Sequence, residues 1–180
     1  MTPTACDSSI QRRLMPAIAM ARDPDRAGEL KVTVSTVVCD GRRVLLVREG
    51  NGRKRGKWNL PGGKVQSGEK LVAAAVRETE EETGYLVKPV ALVGLYINVR
   101  GERKPSLRLH LSAKVVDGEP EYDGDEILDV RWFTLAMLRD MPDRKLWNVH
   151  LLRRTLSEVD HEVSYPLRLL KEVDAALAVA

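Results

Sequence analysis

A chain of 180 residues, 43% hydrophobic and 31% charged, is long enough for one packed core and short for two. A formal net charge of +3 is too small to mark a nucleic-acid binder, and no apolar run approaches the ~18 residues of a membrane span. The two cysteines, Cys6 in a polar stretch and Cys39 in an apolar run, argue against a disulfide framework or a thiolate metal site and fit a reducing, cytoplasmic setting.

Residues 1–29, rich in Ser, Pro, Asp and Arg, predict a flexible N-terminal extension. Arg12 and Arg13 precede LMPAIAMA, a slight likeness to an export signal, but the run is short and broken by Pro16 and reads as loose tail. Order is expected from residue 30 onward. KVTVSTVVC (31–39) has the β-branched density of a strand, Asp40-Gly41 signals a turn, and RRVLLVRE (42–49) answers as the second strand of a hairpin. Residues 50–57 read as a basic loop and 58–63, with Pro61 and two glycines, as a tight connection. Ser67 to Glu69 opens a helix that Gly84 closes.

LVKPVALVGLYINVRG (86–101) and SLRLHLSAKVV (106–116) read as two long strands around a polar turn at 102–105, with Pro89 at an edge or bend. ILDVRWFT (127–134) is a further short strand. Beyond Asp140, Leu146, Val149, Leu152 and Leu156 recur at helical spacing, Tyr165-Pro166 interrupts, and LRLLKEVDAALAV (167–179) starts a last helix. Strands with one embedded helix and terminal helices imply an α/β fold, a mixed β-sheet sandwiched between α-helices, in one domain over 30–180 with C-terminal helices.

The embedded helix ends in AAAVRETEEETGY (73–85), where Glu78, Glu80, Glu81 and Glu82 occupy four of five positions. Like charges three or four residues apart on a helix repel by about 0.2–0.5 kcal/mol per pair. At about 100° per residue, Val72, Ala75, Val76, Thr79 and Thr83 share one face, which should pack on the sheet. Glu78, Glu81 and Glu82 fall within about 100° on a second face, and Glu80 points roughly 150° away. Their convergence is tolerable if a cation sits among them. Oxygen ligands without His or Cys select Mg²⁺, with Mn²⁺ as substitute. A solvated acidic face is the competing reading of the helix by itself. Arg77, four residues before Glu81, and the bare backbone of Gly62-Gly63 favour a site.

Gly63, five residues, Glu69, seven residues, then Arg77-Glu78-Thr79-Glu80-Glu81-Glu82-Thr83-Gly84-Tyr85 resembles the signature of the Nudix hydrolases, G-x5-E-x7-R-E-U-x-E-E-x-G-U with U bulky and apolar. All seven fixed residues match over 23 positions; Thr79 stands where Leu, Ile or Val is usual, and Tyr85 is a polar-tipped final U. The likeness extends over about residues 30–160 through the order of strands, the 58–63 lead-in and Arg131-Trp132-Phe133.

The resemblance implies the Nudix fold and divalent-metal-dependent hydrolysis of a phosphoanhydride bond, by water attack at phosphorus. The substrate would be a nucleoside di- or triphosphate, or a nucleoside diphosphate linked to another group. It further implies that Glu78, Glu81 and Glu82 hold the metal, that the Gly63 carbonyl adds a ligand, that Arg77 orients the carboxylates and that Glu69 supports the loop and helix. A homodimer is a family habit. In some members the general base is a box glutamate, here Glu78, and in others a downstream Glu. Glu126 is the preferred downstream candidate, with Asp123, Asp125 and Glu121 in competition and a solvated turn as the bland alternative.

For substrate contacts, Lys64 and Arg48 are the basic candidates, together with Arg53, Lys54, Arg55 and Lys57, against a merely solvated loop. Trp58 and Tyr96 can stack on a flat base or belong to the core. His110 faces opposite to Leu109 and Leu111 and is expected to line the substrate cleft, whereas His150 and His161 read as helix surface. GKWNLPGGKV resembles members that clear oxidised nucleoside triphosphates. Tyr165-Pro166-Leu167 resembles the end of small Nudix phosphatases that release terminal phosphate, so the substrate stays open. The alternative function is a non-catalytic Nudix domain that senses nucleotides or binds a partner, although such domains commonly lose the carboxylates kept here. An RNA-binding reading would draw on the basic loop but lacks an aromatic platform.

Overall fold

A computed structural model describes residues 30–98 and 105–171. The expected N-terminal extension, residues 99–104 with most of the polar turn, and residues 172–180 of the expected last helix lie outside them. The first hairpin forms, β1 (Lys31–Asp40) with β2 (Arg43–Glu49), but it is a corner and not a ribbon. Only Cys39↔Val44 and Asp40↔Arg43 pair across it. Thereafter β1 turns away and runs parallel to β5 (Ser106–Gly118), from Lys31↔Ser106 to Val38↔Ala113. Every residue from Thr33 to Val38 is buried, so β1 is covered on both faces, as parallel central strands are.

The six strands follow the order β3-β2-β1-β5-β4, with β6 (Ile127–Thr134) pairing antiparallel to β2. Short β3 (Trp58–Asn59) lies on the other side of β2. β4 (Tyr85–Asn98) is the edge strand that Pro89 suggested, and its register against β5 shifts between Pro89 and Ala91. The backbone of Tyr165 closes part of this edge, exchanging hydrogen bonds with Leu92 of 2.8 and 2.7 Å.

Helices cover both faces. α1 (Leu71–Thr83) sets Ala74 and Ala75 against Val34, Leu92, Leu109 and Leu111. Opposite, α2 (Leu135–Asp140) and α3 (Val149–Asp160) bring Leu138, Leu152 and Leu156 onto Val37, Leu46, Val93 and Phe133. This is the mixed sheet between helices that the sequence predicts. No helix among the described residues is long and apolar enough to cross a membrane.

Local departures have local causes. α1 begins at Leu71 and not at residues 67–69, because Gly68 takes a left-handed turn conformation with φ of 76° that a right-handed helix cannot include. α2 was not foreseen; Thr134 caps it, accepting from the Met137 N–H at 3.2 Å. Leu146 precedes α3 and bridges to Trp58. Leu167–Leu169 form one 3-10 turn where a longer helix was expected to start.

Thr79, the unusual residue of the acidic helix, is fully buried, and its hydroxyl donates to the Ala75 carbonyl at 2.6 Å. That carbonyl also accepts from the Thr36 hydroxyl at 3.2 Å, so an isosteric Thr79→Val strands no acceptor. We expect Thr79→Val to shift urea unfolding by less than about 1 kcal/mol. A larger loss would mean that the hydroxyl does more than fill space.

Candidate active site

The site begins with two glycines laid against β1. Thr36 N–H donates to the Pro61 carbonyl at 2.9 Å and Val34 N–H to the Gly63 carbonyl at 3.0 Å, so the loop docks on the strand like an extra rung. At Gly62, with φ of 145°, a Cβ would sit 2.2 Å from the Val34 oxygen, and at Gly63 it would sit 2.1 Å from Glu78 Oε2. Bare backbone is therefore required for the loop to reach the strand and for a carboxylate to reach the loop. One helical turn from Glu78, the Glu82 carboxylate accepts from the Gly62 N–H at 2.8 Å.

Arg77 organises the remainder. Its Nε and Nη2 donate to the two oxygens of Glu69 at 2.7 and 2.9 Å, a bidentate clasp. Nη1 donates to Glu78 at 3.0 Å and to Glu81 at 2.9 Å, and Nη2 reaches the Lys64 carbonyl at 3.2 Å. The three glutamates expected to converge are thus only partly gathered. Glu78 and Glu82 face the glycine loop, whereas the Glu81 side chain is 58% exposed and turned to Arg77. Among the described residues no group of three or more His, Cys, Asp and Glu side chains is arranged to hold a metal ion. Glu80 is exposed on the far side, as its helical phase requires.

Burial pushes the Glu82 carboxyl up to about 8; the Gly62 N–H opposes the rise and the charges of Glu49 and Glu78 add to it. Glu78 is also raised by burial, with Arg77 opposing. The hydrogen bond from Arg77 holds Glu69 below its ordinary value.

Glu49, the last residue of β2, is part of this neighbourhood and was missed. It is 4% exposed, takes Lys54 Nζ on both oxygens at 3.0 Å, and accepts from Asn59 Nδ2 at 2.6 Å. A signal existed, since Glu49 falls on the same side of the strand as Leu45 and Val47, which point into the core.

The other candidates are scattered in role. Lys64 and Arg48 are exposed beside the glycine loop and the basic loop, and Arg48 Nε donates to the Gly56 carbonyl at 3.3 Å. Trp58 corrects the stacking expectation, because its ring is buried, edge-on to Phe133 with centroids 4.8 Å apart, and belongs to the core. Tyr96 donates its hydroxyl to Glu158 and packs edge-on to His110. His110 is 2% exposed and borders a small cavity with Ser35, Asn59, Arg108 and Asn148.

Glu126 is exposed on an acidic loop tied to the end of β2, its carbonyl accepting from the Gly50 N–H at 2.7 Å. Asp123 shapes that loop, one oxygen accepting from the backbone N–H groups of Asp125, Glu126 and Ile127. This backbone role accounts for Asp123 without any part in proton transfer.

The family model of the NUDIX domain matches residues 29–155. An oxidized purine nucleoside triphosphate hydrolase of Mus musculus is 34% identical over 151 residues, covering 77% of this chain and 93% of that protein. A Caenorhabditis elegans relative named for the same family is 33% identical over 56% of this chain, which spans only 27% of that longer protein. Among solved structures, a NUDIX hydrolase from Nitrosomonas europaea superposes with a TM-score of 0.72 at 28% identity, over 82% of this chain and 99% of that one. The chain belongs to the Nudix hydrolase family.

Glu82 carries a pH signature of its own. A carboxyl whose folded pKa is raised contributes stability that is fully present below its unfolded value, about 4.3, and is lost as pH rises through the folded value, here about 8. In chelator-treated protein the melting temperature should fall between pH 5 and 8. Glu82→Gln should flatten that fall, gaining roughly 2–4 °C per kcal/mol recovered at pH 8. An unaltered slope would place Glu82 in contact with water.

Proposed function

We propose that this chain hydrolyses a phosphoanhydride bond in a nucleotide-type substrate, a nucleoside di- or triphosphate or a nucleoside diphosphate linked to another group, with Mg²⁺ or Mn²⁺ as cofactor. The observation that carries the reading is the pair of half-buried carboxylates, Glu78 and Glu82, pressed against Gly62-Gly63 on an arginine-clasped helix. Carboxylates in such a place have too little positive charge around them, and burial accordingly favours their neutral forms. An all-oxygen donor set with that deficit suits a hard divalent ion.

Glu78 and Glu82 would hold the ion with the second lone pair of the Gly63 carbonyl, and Glu81, exposed and paired with Arg77 in this structure, would have to turn inward to join them. When bound, the ion supplies charge neutralisation at the anhydride oxygens and acidifies the attacking water. Arg77 keeps Glu78 and Glu81 oriented, and the Gly62 N–H does so for Glu82. Lys64 and Arg48, exposed beside the glycine and basic loops, meet the substrate phosphates. The water's proton passes to Glu126 or Glu78 as its oxygen bonds to phosphorus and the bridging P–O bond breaks. The match along 93% of the mouse relative lends support to a nucleoside triphosphate as one substrate class. The non-catalytic alternative would be favoured by lost carboxylates, and all are retained.

Steady-state hydrolysis, with phosphate and pyrophosphate release counted separately, tests the assignment. Glu81→Gln and Glu82→Gln should each lose at least about a hundredfold in kcat/KM, while Glu80→Gln stays within about twofold. Equal losses at all three positions would break the facing argument. For the base, Glu126→Gln should lower kcat by about 10²-fold or more without weakening Mn²⁺ binding in calorimetry. Turnover as fast as the parent's would remove Glu126 from that role.

A further inference from the structure

His110 stands on β5 at the sheet face covered by α3, and its two ring nitrogens have different surroundings. Nδ1 lies 2.8 Å from Thr155 Oγ1. The Thr155 hydroxyl has its own acceptor, the Leu151 carbonyl one helical turn back at 3.0 Å, which leaves its oxygen free to accept from the ring. Tyr96 donates to Glu158 and so does not compete for that oxygen. The ring is neutral at physiological pH, because burial, with help from the Arg108 charge, pushes its pKa down to about 3. One proton is available, and the Thr155 contact draws it to Nδ1.

Nε2 is then a lone-pair acceptor. It is buried without a hydrogen-bond partner among the described residues, in a side chain 2% exposed. The cavity beside it is lined by Ser35, Asn59, Arg108 and Asn148 over a floor from Leu60, Leu151 and Leu152. Two further features mark the cavity as a built place. Asn148 sits in the left-handed region, φ 44° and ψ 50°, at the start of α3, yet its side chain makes no capping bond to the helix. Asn59 spans from the cavity to the carboxylates, since its Nδ2 donates to Glu49 at 2.6 Å.

Resting on the hydrolase reading above, we propose that His110 is a specificity-determining residue. Its Nε2 accepts one hydrogen bond from an N–H or O–H of the substrate's nucleoside part, a single polar group of which reaches into this cavity while the phosphates lie at the glutamates. The chemistry sets the class of group. Ionised phosphate oxygens have no hydrogen to give to a lone pair. The cavity, about 10 Å³, admits roughly one polar group. A base-edge N–H and a ribose hydroxyl both satisfy that description, and substrates can separate them.

The experiment uses the full chain with Mg²⁺ and compares inosine triphosphate, its 2′-deoxy and 3′-deoxy forms, and purine riboside triphosphate, whose base carries no N–H. His110→Phe keeps a ring against Tyr96 but removes the lone pair. It should raise KM about tenfold for nucleotides bearing the recognised donor, with kcat unchanged. The KM of the analogue lacking that donor should not move, and whether that analogue is the purine or a deoxy form identifies the source. Equal KM losses for all four, or none, would overturn the proposal.

Nitrogen NMR of the parent protein provides a second measurement that depends neither on turnover nor on a folded variant. It should show His110 protonated on Nδ1, with the Nε2 signal moving when inosine is added. Thr155→Val should mix the two tautomers. A proton on Nε2 in the parent, or an Nε2 signal indifferent to inosine, would sink the inference. Failure of the parent to hydrolyse any nucleotide would instead sink the hydrolase reading, which the NMR result does not touch.

Discussion

One guanidinium keeps the acidic helix in order. Arg77 engages Glu69, Glu78 and Glu81 together and reaches across to the Lys64 carbonyl, so a cluster that would otherwise push itself apart has a fixed positive centre. Arginine suits this position because its planar fork offers several donors in fixed directions, whereas a lysine would supply a point charge. The clasp on Glu69 ties the loop before α1 to the helix itself. Glu78 is held against Gly63 by the same residue, while Glu82, out of its reach, depends on the Gly62 N–H. Glu82 is the more strongly perturbed acid because burial weighs more heavily on it, and chiefly the Gly62 dipole answers that burial where Glu78 has the full charge of Arg77.

The sheet turns these local contacts into a site. β1 leaves β2 after two residue pairs and joins β5, and the 61–63 loop docks on the strand so exposed. Asn59 and Ser35 face the cavity on the α3 side, while residues 62 and 63 meet the carboxylates of α1. A connection of five residues thereby links the two faces of one sheet.

The polar groups under α3 form their own chain, from Glu158 through the Tyr96 hydroxyl, and from Thr155 to His110. Burial makes each member costly to leave unmatched, and every link but the last is matched. The Tyr96 hydroxyl is pushed up to about 12 by burial and by donating to Glu158, so it stays a donor throughout the working range. The open end of the chain faces the cavity.

Much of this was written in order along the chain. Helical phase alone separated Glu80 from Glu78, Glu81 and Glu82 and placed Thr79 and Thr83 inward, because side-chain direction in a helix follows from residue spacing. Strand runs, the Pro89 edge and the glycine loop were legible for the same reason: each depends on neighbours within a few positions. What only the tertiary structure decided are contacts between distant segments. Parallel pairing of β1 with β5 joins residues some seventy positions apart, and it carries His110 to the face where Thr155 waits. The burial of Trp58 against Phe133 and of Glu49 beside Asn59 and Lys54 depended likewise on how strands were laid side by side. Periodicity tells which way a side chain points, but the partner it meets is chosen by packing that no short window contains.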